Sequence, residues 1–390
     1  MAKYDEQERQ AVSDVLDHPK LLVGGPYTDE LQQRVSTQFG KDHGVLVNSG
    51  SSANLVATEL LDLPTGSEVI TPLVTFSTTV APLVQKGLVP VFVDIGLGDY
   101  QLDIDQVREA ISEDTGALMV PSLLGNIPDY PQLREIANDH DIYLVEDSAH
   151  TVGATIQGQP TGEFTDITTT SFYGAHVITT FGTGGMVSVN DDRWMRRAKK
   201  FRGWGRASAV EEENNINDRL ETVLDGTQYD SKFVFDELGY NLIATEASAA
   251  FGVEQVKKLP KFADQRRYIF SQLCDFFSEY EEWFVLPSQR PDVTTCWLAF
   301  PLTIREAAPF SRGEIVKHLE RNRIQTRPLW SGNLLKHPAF ESIDARLPFE
   351  DYPNANHVME NSLVIGTHQA MDDDDVNYVK TTFERFFEQL

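Results

Sequence analysis

SFYGAHVITTFGTGG, Ser171 to Gly185, is the stretch around which the rest of the chain can be placed. It continues an apolar, β-branched run that starts at Ile167, passes through a turn of small residues carrying His176, and ends in Gly182, Gly184 and Gly185. β-Branched and aromatic residues suit a pleated strand, and glycines let backbone and ligand approach closely. A polar side chain just past a strand end is the usual position of a ligand-binding group on an open α/β sheet. His176 is therefore the first candidate for chemistry.

Outward from this stretch, strand-like and helix-like runs alternate. EVITPLV (68–74), PVFVDI (90–95), GALMVPSLL (116–124), IYLVEDS (142–148) and GGMVSVN (184–190) are short, apolar and β-branched, whereas VREAI (107–111), YPQLREIANDH (130–140) and DDRWMRRAKKFR (191–202) have helical spacing. The alternation predicts an α/β fold with a mostly parallel sheet and helices on both faces. Ligands of such sheets lie at the carboxyl ends of the strands. The polar residues there are Asn48 to Ser52, Asp147 to His150 and His176, with Phe76 beside them. VLVNSGSSANL (45–55) predicts a strand, a Ser/Gly turn and a helix starting near Ser51. Free amides at such a helix start suit a phosphate; the same residues also suit an ordinary capped helix.

The flanking regions complete the layout. Residues 1 to about 40 predict lead-in helices broken at Gly24, Gly25 and Pro26. Residues 207–236 are acidic and poor in core residues, and predict a long excursion rather than a domain boundary. A long helical tract after GYNL (239–242) leads to CWLAFPLTI, IQTRPLW and NSLVIG, three strand-like runs of a smaller C-terminal α/β domain. The expected division is 1–255 for the large domain and 256–390 for the small one. Asp372 to Asp375 fit the positive end of a final helix.

Composition narrows the function. With 33 basic against 59 acidic residues, the formal charge of −26 argues against nucleic acid or an anionic membrane as partner. No apolar run approaches the ~20 residues of a spanning helix, and the N-terminus lacks the layout of a secretory signal, so a cytoplasmic location is expected. Two cysteines, Cys274 and Cys296, cannot form a disulfide framework or a four-cysteine cluster within one chain. The remaining histidines are scattered without ligand spacing, and no metal site is expected. Among the basic residues, Arg327 is the preferred anion partner, with Arg202 and Lys336 behind it, because guanidinium pairs bidentately with carboxylate or phosphate.

NSGSSANL, TPLVTFSTTVAP, PVFVDI, EDSAHTVGA, SFYGAH with GTGG, GYNL and QTRPLWSGNLLKHPAF occur together and in this order. As a set they resemble the DegT/StrS-type family of PLP-dependent sugar aminotransferases, and within it the nucleotide-sugar 3-dehydratase branch. The resemblance implies the type I PLP-dependent transferase fold, with a homodimer whose active sites draw on both subunits. It also implies a cofactor cycling between PLP and PMP, held at Gly50, Ser51, Ser52 and Ser171 (phosphate), Asp147 (pyridine nitrogen), Phe76 (ring face) and His150, with Asn241 reaching the neighbour's phosphate.

The position five after Ser171 holds the covalent lysine in the aminotransferases; here it is His176. Imidazole has no primary amine, so the resemblance implies a noncovalent cofactor. It further implies glutamate as amino donor, a nucleotide-diphospho-4-keto-6-deoxyhexose as substrate, and loss of the C3 hydroxyl assisted by His176 as base and acid. The segment GWGRASAVEEEN lacks the cysteines of the reductase-coupled dehydrases, which favours the self-contained type. A reductase-coupled dehydrase, an aminotransferase-like protein and a noncatalytic sugar-nucleotide sensor are the alternatives. The chain departs from the branch at Gly174 (proline expected), Thr183 (glutamate expected) and Ile243, a position often basic in relatives.

Overall fold

Ser171 pairs with Gly185, so the stretch between them is the loop of a wide hairpin. The computed structural model describes residues 3–18, 21–210 and 215–390. Its large sheet has seven strands: β1 (His43–Val47), β2 (Glu68–Pro72), β3 (Val89–Val93), β4 (Thr115–Pro121), β5 (Tyr143–Ser148), β6 (Ile167–Ser171) and β7 (Gly185–Val189). They lie in the order β1-β7-β6-β5-β4-β2-β3. Six strands run the same way, and β7 is antiparallel to both its neighbours. The sequence predicts the strands, whereas the reversal at β7 follows from its connection. No crossover helix separates β6 from β7, and a direct return forces an antiparallel pair.

Strand periodicity explains the two buried faces. Val45, Val47, Ala117, Met119 and Val145 point to one side, where they pack with Ala53, Val56 and Leu60 of α3 (Gly50–Leu61; α1 is Glu6–Asp17 and α2 is Pro26–Gln38). Leu118, Val120 and Leu144 point to the other and pack with Val107, Leu133 and Ile136. Alternate residues of one strand thus serve different helical layers. The consequence for the site is that α3 and α4 (Ser77–Gln85) both begin at the carboxyl edge of the sheet, next to the ends of β5 and β6.

After α5 (Asp192–Arg202), the chain makes the acidic excursion. Residues 211–214 of that excursion lie outside the described residues. Its described part contains a small hairpin, Thr222–Leu224 with Thr227–Tyr229, which the sequence reading does not resolve. Helix α6 (Glu246–Phe277) follows. The buried Glu246 carboxylate accepts from the N–H groups of Gly25, Tyr27 and Thr28 and from the Thr28 hydroxyl, closing the amino end of α2.

A boundary drawn between residues 255 and 256 falls inside this continuous helix. Val253, Val256 and Phe262 pack with the large-sheet layer, and Ile269, Leu273 and Phe277 with the C-terminal core. That core covers an antiparallel sheet of β8 (Phe284–Val285), β9 (Ala299–Ile304), β10 (Thr326–Pro328) and β11 (Ser362–Gly366), in the order β8-β9-β11-β10. The last helix, α7 (Asp373–Phe387), has Asp372 and Asp375 in a reciprocal capping box, which is the role their position predicts. No helix is long and apolar enough to cross a membrane among the described residues.

Candidate active site

The ends of β5 and β6, the starts of α3 and α4, and the edge of the C-terminal sheet enclose a cavity of about 1190 Å³. Gly50, Ser51, Phe76, Asp147, His150, Ser171, His176 and Arg327 all line it. Five separate segments of sequence therefore converge on one space.

Asp147 is the most constrained of these residues. It sits near the end of β5 and is 5% exposed. Its Oδ2 accepts from Asn54 Nδ2 at 2.8 Å and from the Thr79 hydroxyl at 2.7 Å, while Oδ1 accepts the Ala149 N–H at 3.1 Å. The Asn54 amide is itself oriented by the Thr169 hydroxyl, which donates to its Oδ1 at 2.6 Å. Burial raises the Asp147 pKa, and the bonds from Thr79, Asn54 and Ala149 oppose that rise. No cation pairs with this carboxylate among the described residues. Asn54 and Thr79 lie in motifs quoted above, yet nothing in their spacing shows that both converge on Asp147.

At the start of α3, the Ser49 hydroxyl accepts the Ser52 amide at 3.1 Å. The amides of Gly50 and Ser51, the first two residues of the helix, have no intrahelical acceptor. Gly50 is required for close approach: a Cβ there would stand 2.5 Å from Ser171 Cβ. Ser51 donates to Thr78 Oγ1 at 2.9 Å, and Ser52, which does not line the cavity, donates to Asn48 Oδ1 at 2.6 Å. Phe76 precedes α4 with its ring 49% exposed, into the cavity.

His176 is half-buried. Its Nδ1 lies 3.2 Å from the carbonyl oxygen of Ser171. A carbonyl only accepts, so Nδ1 carries the proton and Nε2 keeps its lone pair. Burial pushes the His176 pKa down to about 4, against the Ser171 bond and with added repulsion from the Arg266 guanidinium. Arg266 is fully buried, donating to Gln369 Oε1 at 2.7 Å and the Leu298 carbonyl at 2.9 Å, and Gln369 in turn donates to the Val177 carbonyl at 3.0 Å. The loop that carries His176 is thereby tied to α6. His150 lies edge-on to His176, with ring centres 5.3 Å apart, and stacks on Trp330 at 4.2 Å. Burial, with repulsion from His176, holds the His150 pKa well below the usual imidazole range. Trp330, whose buried Nε1 has no partner among the described residues, is a third residue whose role the sequence reading misses, after Asn54 and Thr79.

Not every predicted residue reaches the cavity. Arg202 lines a different pocket, Lys336 faces Glu360 at 3.8 Å, and the exposed Asn241 bridges by its backbone to Gly203. Arg327 lines the cavity and makes no ion pair among the described residues; its Nη1 donates to the Thr326 carbonyl at 2.6 Å. Thr183 donates to the Asn48 carbonyl at 2.7 Å, which staples the glycine turn to the end of β1. No lysine lines the cavity among the described residues.

The profile of the DegT/DnrJ/EryC1/StrS aminotransferase family matches residues 2–384. The chain belongs to this family. DegT-family relatives include lipopolysaccharide biosynthesis protein RfbH of Salmonella typhimurium, 34% identical over 94% of this chain and 86% of that protein. The dTDP-4-dehydro-2,6-dideoxy-D-glucose 3-dehydratase of Saccharopolyspora spinosa is 36% identical over 99% and 85%. Among solved structures, E. coli GDP-4-keto-6-deoxy-D-mannose-3-dehydratase with bound hydrated PLP superposes with a TM-score of 0.89, at 30% identity over 98% of this chain and 97% of that one. GDP-4-keto-6-deoxymannose-3-dehydratase with a trapped PLP-glutamate geminal diamine gives 0.88, at 28% identity over 98% of both.

DegT-family enzymes use PLP, and the residues here fit it. A buried carboxylate without a cation partner suits a protonated ring nitrogen. A helix start with open amides, kept narrow by Gly50, suits a phosphate. The exposed Phe76 ring supplies an aromatic wall. The chain is thus an enzyme of a PLP-dependent, sugar-modifying family, on the fold of its solved relatives.

Proposed function

We propose that the chain is a PLP- and PMP-dependent 3-dehydratase that removes the C3 hydroxyl of a nucleotide-linked 4-keto-6-deoxyhexose, with glutamate as amino donor, to give a 3,6-dideoxy-4-keto sugar. The observation that carries this reading is His176, its Nε2 keeping its lone pair, in a cavity that no lysine lines among the described residues. Bound PLP would supply an electron sink and, as PMP, the amine that engages the C4 carbonyl of the sugar.

The protein's own part follows from its side chains. Gly50 and Ser51, with Ser171, would hold the cofactor phosphate. Asp147, oriented by Asn54 and Thr79, would keep the ring nitrogen protonated, and Phe76 would cover one ring face. His150, on the Trp330 side, would border the cofactor. His176 Nε2 is unprotonated near neutrality, since burial pushes its pKa down to about 4, and so it can take up a proton and return it to the departing C3 oxygen. Arg327, free of ion pairs among the described residues, would hold a carboxylate of glutamate or the diphosphate of the substrate. Imidazole cannot bind the cofactor covalently. Transamination by a lysine is therefore closed to this site, and elimination is the outcome that it supports.

Two observations refine the proposal. With Cys296 buried and Cys274 on α6, one chain cannot supply four thiolates to a cluster, which favours turnover without a reductase. Asn241 is exposed and outside its own chain's cavity, and the nearby hairpin exposes Val223, Leu224 and Tyr229. Both suit a second copy packed there, with Asn241 serving the partner's cofactor.

The test is the glutamate half-reaction. PLP-loaded protein given glutamate should release one 2-oxoglutarate per cofactor, and His176→Asn should slow this by about a hundredfold or more. A cofactor that resists dialysis as a lysine adduct, or release of 2-oxoglutarate at the same rate from His176→Asn, would contradict the proposal.

A further inference from the structure

Arg266, 1% exposed, is the largest fully buried side chain among the described residues. It projects from α6, and its bonds reach both parts of the molecule. Nη1 donates to the carbonyl of Leu298, a residue that lines the larger cavity just before β9. Nε donates to Gln369 Oε1 at 2.7 Å, and Gln369 Nε2 donates to the Val177 carbonyl at 3.0 Å. Val177 follows His176 in the chain, so one buried amide joins the guanidinium to the loop that carries the imidazole.

The choice of an amide at 369 is informative. A guanidinium only donates and a carbonyl only accepts, so the two neighbours fix which way the Gln369 amide faces. An apolar side chain there would hold the loop by packing alone, and a carboxylate would cancel the charge of Arg266. The amide ties the loop and leaves the charge in place. Both acceptors of Arg266 are neutral. The nearby Cys296 thiol stays protonated, because burial raises its pKa against the pull of Arg266 and Arg267. Burial pushes the Arg266 pKa down to about 10, with Cys296 opposing, and the guanidinium remains charged near neutrality.

The other charged and titratable groups around the pair are accounted for. The rings of His150 and Tyr173 stand edge-on to His176 at 5.3 and 5.8 Å, and Asp147, Arg327 and His337 line the same cavity. On the other side, Arg267 pairs with Asp264 at 2.6 Å, and Lys3 donates to the Gln369 backbone carbonyl at 3.1 Å.

We propose that Arg266 is a positioning residue for His176: through Gln369 it fixes the loop that carries the imidazole, and it places a permanent positive charge near the ring. The inference rests on the reading of His176 as the base and acid of the larger cavity. A fixed cation favours the neutral imidazole before proton uptake and makes the imidazolium a stronger acid afterwards, which aids return of the proton to a departing oxygen. Burial is the main cause of the low His176 pKa, the Ser171 bond opposes it, and Arg266 adds to it.

An NMR pH titration of the His176 ring in the full-length, PLP-free chain tests this, with the resonance assigned by its loss in His176→Asn. Gln369→Glu sets a carboxylate on Arg266, and Arg266→Gln removes the charge. Both should raise the proton affinity of His176, by about three- to tenfold. Gln369→Glu keeps a bond to Arg266, which guards against a folding failure of Arg266→Gln. Gln369→Met breaks the tie to Val177 but keeps the guanidinium charged. It should change the proton affinity by less than about twofold, yet slow the glutamate half-reaction by about tenfold. The acid limb of that half-reaction should move to higher pH in Gln369→Glu and stay in place in Gln369→Met. Absence of 2-oxoglutarate from the wild type would contradict the reading of the larger cavity, whereas the titration decides this inference by itself. A wild-type titration in both charge-changing variants, or an equal shift in Gln369→Met, would overturn it.

Discussion

The depressed pKa of His176 makes a stability prediction that needs no substrate. Its folded value of about 4 lies below the ~6.5 of an exposed imidazole, so as pH falls the unfolded chain takes up this proton first. Stability is unaffected by this group above about pH 7, declines between about 6.5 and 4, and levels off below. The full difference corresponds to about 3 kcal/mol, of which about 2 kcal/mol is lost between pH 7 and pH 5. Urea unfolding of the PLP-free protein, followed by circular dichroism at several pH values, should show the wild type losing about 2 kcal/mol more than His176→Asn over that interval. Burial raises the carboxyl groups of Asp147 and Glu146 and bends both curves the other way, which is why the difference between proteins is the quantity to measure. His150 remains in both, its shift arising first from burial. Parallel pH profiles would refute the reasoning, because they would mean that His176 titrates alike in the folded and unfolded chains and is not held as a free base.

Other substitutions probe the frame of the site. Asp147→Asn should leave the cofactor-free melting curve near wild type, since it removes a buried charge, yet weaken PLP binding by roughly 10- to 100-fold in a fluorescence titration. Gly50→Ala places a Cβ against Ser171 and should cost about 1–3 kcal/mol in urea unfolding and abolish saturable PLP binding; unchanged values would show that the helix start is not the tight cradle described. Glu246→Gln replaces one of the two accepting oxygens with an NH2 that faces the donors at the start of α2, removes the charge, and should cost about 2–4 kcal/mol by the same assay, with PLP affinity retained.

The strands and most helices are legible in the sequence because their periods are strong: Ala117 and Met119 face one layer, Leu118 and Val120 the other. The reversed direction of β7 is not, because the direction of a strand depends on where its connection returns and not on its own residues. Among the site residues, Asp147 and His176 are visible at strand ends. Asn54 and Thr79 are not, because their role is set where two helices that are separate in sequence meet a third element. Trp330 comes from the C-terminal region and reaches His150 only through tertiary packing. Arg202 shows the converse: guanidinium chemistry marks it as an anion partner, but only the fold says which cavity it faces.

The central claim is elimination in place of amino transfer, and the mass of the product tests it most directly. The chain, with PLP and excess glutamate, is incubated with a small panel of nucleotide-linked 4-keto-6-deoxyhexoses, and the sugar nucleotides and free ammonia are measured. Elimination predicts a product about 16 Da lighter than its substrate, with one ammonia released per turnover. A product about 1 Da heavier, with the amino group retained on the sugar and no ammonia released, would contradict it.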